Sequence, residues 1–118
     1  MSGQTELGWA PDSCTLSAAG RRLRQAEFGE LFAETVAAID RPEPTRLRLQ
    51  LHPGPQIAAR VAGLAAAETA CCSFFTFALI AAAGSLVLDI TVPVAQLPVL
   101  DALTERATAA VAGMAAAG

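Results

Sequence analysis

Arg46-Leu-Arg-Leu-Gln-Leu-His52 alternates without exception: Leu47, Leu49 and Leu51 fall on one side of an extended chain, and Arg46, Arg48, Gln50 and His52 on the other. Successive side chains of a strand point to opposite faces, so the segment predicts a strand with one apolar and one wet face. Such a strand belongs to an antiparallel sheet that is covered on one side only. Downstream, Pro53-Gly54-Pro55 turns the chain and Pro55 suits the first position of a helix. Ile57, Val61, Leu64, Glu68, Cys71 and Phe75 then step by four and three, which predicts a helix to about Cys72.

Further on, Phe74-Phe-Thr-Phe-Ala-Leu-Ile80 has strand composition. After Ala81-Ala-Ala-Gly-Ser85, the residues Leu86, Leu88, Ile90 and Val92 alternate with Val87, Asp89 and Thr91, so the two runs predict a hairpin. The apolar run Phe74 to Ala83 is too short to span a bilayer and reads as a buried strand. A last helix starts near Ala95 with Leu97, Leu100, Leu103 and Val111 inward, and its alanine-rich tail should fray from about Ala112.

Upstream, Ser17 is a good N-cap, and Phe28, Phe32, Thr35, Val36 and Ile39 recur at helical spacing. A helix from about Ala18 to Ile39 follows, stopped by Asp40-Arg-Pro-Glu-Pro44. Ser13 to Leu16 reads as a short strand or turn, and Trp9 is placed to anchor an otherwise flexible segment over residues 1–12. The expected order is α-β-α-β-β-α. It describes a two-layer α+β domain over residues 13–111, with a mostly antiparallel sheet, about three helices and a frayed tail over 112–118.

Composition narrows the function classes. In 118 residues, 53% are hydrophobic and 16% charged, which excludes intrinsic disorder and suffices for one core. The formal charge is -3 and lysine is absent, so the electrostatic footprint of nucleic-acid binding is missing. The polar, acidic start lacks the basic and apolar regions of a signal peptide, which predicts a cytoplasmic protein that does not enter membranes. The apolar surplus predicts some surface shared between subunits, as in a homodimer.

Chemistry concentrates in the second helix. Glu68 falls within about 20° of the centre of its apolar stripe, so its carboxyl points at the core. Cys71 and Cys72, three and four residues later, lie one on each side of it. A buried carboxylate needs a donor or a cation, and no lysine exists to supply one. The three cysteines are odd in number and read as thiols rather than as a disulfide framework. Neighbouring helical residues diverge by 100°, so two adjacent thiols reach one ion poorly; Cys14 is the candidate third sulfur. Three thiolates suit soft ions such as Hg(II), As(III) or Cu(I). Against this stands the plainer reading of cysteine as a small buried hydrophobe. His52 lacks a second ligand at metal-binding spacing and reads as solvated, while Asp89 is placed to pair with Arg46 and Arg48 across the sheet. CxxC, HExxH, GxSxG and phosphate-loop motifs are absent.

Cys14-Thr-Leu16, the stretch Leu64-Ala-Ala-Ala-Glu68-Thr-Ala-Cys71-Cys72-Ser-Phe74-Phe-Thr-Phe77, and the closing Leu86-Val-Leu-Asp-Ile90 with Pro93 and Leu100-Asp-Ala-Leu103 together resemble a family. It is one of small actinobacterial proteins with a Cys-Thr-Leu start and a Glu-x-x-Cys-Cys-x-Phe motif, similar to domains attached behind MerR-type metal-responsive regulators. Ser73 stands here where proline is common in that motif. The resemblance implies a module of metal or thiol stress, with Cys14, Glu68, Cys71 and Cys72 as the matching positions. Two thiols and a carboxylic acid are also the groups with which organomercurial lyases cleave a carbon–mercury bond.

Three readings follow. The first is soft-metal or metalloid binding through Cys14, Cys71 and Cys72. The second is a thiol-dependent enzyme acting on an organometal or small electrophile, with Cys71 or Cys72 as nucleophile and Glu68 as general acid or base. The third is a structural dimerisation module with inert thiols.

Overall fold

The computed structural model describes residues 18–117, with side chains over residues 26–113. The predictions for Trp9, Cys14 and the Ser13–Leu16 segment lie outside them. The order is α1 (Ala18–Thr35), β1 (Val36–Glu43), β2 (Arg46–Leu51), α2 (Pro55–Cys71), β3 (Thr76–Ala82), β4 (Ser85–Thr91), a 3-10 turn (Val94–Gln96) and α3 (Leu97–Ala117). Four strands form one antiparallel sheet in the order β1-β2-β4-β3. The α+β class therefore holds, with one more strand than expected: α-β-β-α-β-β-α.

The extra strand replaces the end of the first predicted helix. Thr35 is buried, and its Oγ1 donates to the Leu31 carbonyl, a local bond that competes with helix continuation. The Thr35 carbonyl accepts the N–H of His52, and Val36 pairs with Leu51, so the far end of β2 captures the chain as it leaves α1. Pro42 removes one backbone donor. It is tolerated because β1 is an edge strand with register shifts on both sides of its centre. Arg41 fastens β1 to α3 through Asp101 Oδ1 at 2.8 Å and Thr104 Oγ1 at 3.1 Å, and also reaches the Pro44 carbonyl.

The strands β2 and β4 carry the centre of the core. Leu47 faces Ile90, Leu49 faces Leu88 and Leu51 faces Leu86, all buried. On the other side of the sheet Arg48 faces Asp89, as the alternation predicts. The helices occupy the apolar side: α1 and α3 pack together, α3 lies against β1 and α2 against β3. The apolar run at β3 is an edge strand in this sheet, not a buried one, and Ile80 is 45% exposed. Phe77 and Leu79, on the face toward α2, are half-buried, whereas Ala78, Ile80 and Ala82 on the other face are exposed. A two-residue turn, Ala83-Gly84, joins β3 to β4 with both φ angles positive. That is the backbone twist a tight hairpin needs.

Candidate metal centre

Helix α2 delivers the site. Its N-terminus opens with Pro55, and its buried positions are Val61, Ala65, Glu68 and Cys71. Val61, Glu68 and Cys71 of the predicted stripe are buried, while Leu64 is only half-buried and its neighbour Ala65 takes the inward place. Glu68 is 1% exposed.

The helix stops at Cys71, and this decides the sulfur geometry. Cys72 has extended backbone angles, φ -122° and ψ 93°, while its N–H still donates to the Glu68 carbonyl at 2.7 Å. The 100° divergence expected for two neighbours on one helix therefore does not apply. Both sulfurs turn to the same side and lie 3.5 Å apart. Cys72 is fully buried and Cys71 nearly so. The two sulfurs and a carboxylate oxygen of Glu68 all fall within 4.8 Å of one another. The sequence placed the two thiols on either side of an inward Glu68, and the structure brings these three residues together; the convergence of the thiols is what spacing along the helix did not contain. The signal was present in Ser73-Phe74, where helical composition gives way to strand.

Cys71 is disulfide-bonded, which corrects the expectation that every cysteine is a thiol. Its partner is not Cys72, since 3.5 Å is far beyond a sulfur–sulfur bond of about 2.05 Å. The expected third sulfur, Cys14, lies outside the described residues. Aromatic rings follow directly. Phe74 and Phe75 are tilted at 4.6 Å, Phe75 and Phe77 at 5.3 Å, and Phe77 stacks on Phe28 of α1 at 6.4 Å. These contacts join the chain after the cysteines to the first helix and keep the surroundings apolar.

Electrostatically, the cluster sits at the C-terminal end of α2, where the helix dipole is negative, and no basic residue occupies the last turn. Added negative charge is disfavoured there and a cation is favoured. The opposite arrangement appears on the outer side of the sheet. There Arg48 donates to both oxygens of Asp89, at 2.8 and 3.0 Å, with Arg46 at 3.7 Å, and this holds the Asp89 carboxyl below the usual carboxylate range. With Glu43 3.4 Å from Arg46, that cluster balances its own charge. His52 is exposed, as predicted. A groove of about 250 Å³ between α2 and β3 is lined by Val61, Ala65, Thr69, Phe77 and Leu79 and includes none of the three site residues. Among the described residues, no helix is long and apolar enough to cross a membrane. Comparison of the chain with protein-family models, with curated proteins and with solved structures finds no match.

Proposed function

We propose that this protein captures a soft metal or metalloid ion through Cys71 and Cys72, with Cys14 as the third sulfur and Glu68 beside them. The observation that carries the reading is the buried convergence of two sulfurs and one carboxylate within 4.8 Å. Sulfur ligands select soft ions, and an apolar shell protects metal–thiolate bonds from water. The position at a helix C-terminus favours capture over nucleophilic catalysis. A helix N-terminus activates a thiol by lowering its pKa, and the end of α2 at this cluster is the C-terminal one.

Capture belongs to the reduced chain, because Cys71 in a disulfide offers no thiolate. Native mass spectrometry tests it with reduced and unreduced protein, each offered Hg(II), arsenite, Cu(I) and Zn(II). The expected result is one soft ion per reduced chain and none on the disulfide form. Reduced protein that retains no ion would return the cysteines to inert packing.

A further inference from the structure

The two edges of the sheet are finished differently. At β1 the edge carries Pro42, two register shifts and the charged Asp40, Arg41 and Glu43, and Arg41 ties it down to α3. Proline, bulges and charge are the devices by which a sheet edge refuses another strand. At β3 all three are missing. Thr76-Phe-Ala-Leu-Ile-Ala-Ala82 contains neither proline nor charge, pairs with β4 residue for residue from Thr76–Thr91 to Ala82–Ser85, and has no strand on its other side among the described residues.

This edge is apolar on both faces. Ile80, 45% exposed, is one of two large apolar side chains that the described residues leave exposed, and Ala78 and Ala82 lie on the same outer face, with half-buried Val87 of β4 directly opposite Ile80. On the helix side, Phe77 and Leu79 border the groove of about 250 Å³, whose α2 wall includes the small Ala62, Ala65 and Ala66. That wall leaves room for the side chains of an added strand.

We propose that a second copy of this chain supplies the strand: β3 pairs antiparallel with β3 about a two-fold axis at Leu79, and two four-stranded sheets become one of eight. Strand addition draws its affinity from main-chain hydrogen bonds, and the side chains then select the partner. Here the strand complements itself. In the register centred on Leu79, Leu79 meets Leu79, Ala78 meets Ile80 and Phe77 meets Ala81 of the second copy, so Phe77 and Ile80 each face a small residue and no charge faces another. A foreign peptide would find no charge on this edge to recognise. The contact is isologous and consumes the open edge of both copies, while the guarded β1 edges remain outside, so assembly closes at two chains. No residue of the cysteine cluster lies in the strand, and the inference stands apart from metal capture.

The test is sedimentation equilibrium of the full chain at micromolar concentration, with reductant present so that no disulfide links the copies. The expected particle contains two chains. Ala78→Lys and Ile80→Glu each alter an exposed side chain, and each places two like charges on diagonal positions of the shared outer face. Either substitution should weaken self-association at least about tenfold, with circular dichroism showing an unchanged fold. An equimolar mixture of the two variants should associate again, because the centred register sets the introduced ammonium directly opposite the introduced carboxylate. Amide hydrogen exchange over Thr76–Ala82 should slow as the parent protein is concentrated. A parent chain that stays monomeric, a dimer indifferent to both substitutions, or variants that fail to associate on mixing would overturn the pairing.

Discussion

Asp89 lies on the side of the sheet that faces away from the helices, yet it is only 6% exposed. The forked guanidinium of Arg48 meets both its oxygens and favours its charged form. Because its folded pKa is lowered, Asp89 contributes stability above its unfolded pKa of about 3.9, and that contribution is lost as pH falls through the folded value. Asp89→Asn should therefore be less stable than the parent at pH 7, with the difference shrinking below about pH 4. Chemical denaturation across pH 2.5–7 checks it on an approximate grid of one pH unit; a pH-independent difference would contradict the ion-pair account. Glu68 is the opposite kind of buried acid, placed by a helix face rather than by a cross-strand arginine. Glu68→Gln keeps the shape and removes the carboxylate beside the sulfurs. The reduced variant should retain a soft ion such as Hg(II) less well in native mass spectrometry while its denaturation midpoint changes little. Unchanged retention with a large loss of stability would leave Glu68 a purely structural group.

At the scale of elements, the turn between β3 and β4 carries a cost that the sequence shows openly. Ala83 has φ 53°, in the left-handed region where its Cβ crowds the following carbonyl, whereas the adjoining Gly84 at φ 78° has no such penalty. Open space surrounds Gly84. Hairpin turns of this twist favour glycine or asparagine at both central positions. Ala83→Gly should accordingly stabilise the protein by about 1 kcal/mol, read as a higher denaturation midpoint with unchanged denaturant slope. A loss of stability would mean that the entropy of the added glycine outweighs the relief of strain. The end of α2 follows the same logic of local geometry serving a site: one residue of extended backbone at Cys72 brings its sulfur beside that of Cys71.

For the whole molecule, the core is the contact between the inner faces of β2 and β4 and the helices above them. Leu49 is fully buried at its centre and paired with Leu88. Leu49→Ala should cost about 2–5 kcal/mol, while Leu64→Ala, on a half-buried position of α2, should cost distinctly less. Thermal or urea denaturation of the two variants checks the order, and equal losses would show that α2 packs more deeply than its exposure implies. Arg41 ties the sheet to the helices by joining β1 to α3, and within the helical layer Arg60 pairs with Glu34 to join α2 to α1.

By itself the sequence determined the class of the fold, because hydrophobic period is a local property. Alternation at Arg46–Leu51 and at Ser85–Thr91, and the steps of three and four through α2, survive in the structure almost residue for residue. It also determined which side chains meet at the candidate site, since Glu68, Cys71 and Cys72 are close along one helix and need no distant contact to assemble. Tertiary structure decided the rest. Val36–Glu43 became a strand because pairing with β2 outweighed a helical pattern that continued to Ile39. The apolar β3 became an edge because the strand order leaves nothing beyond it among the described residues. The two sulfurs came to share one side because the chain must leave α2 in extended form to enter the sheet, a turn of the backbone that spacing along a helix does not contain.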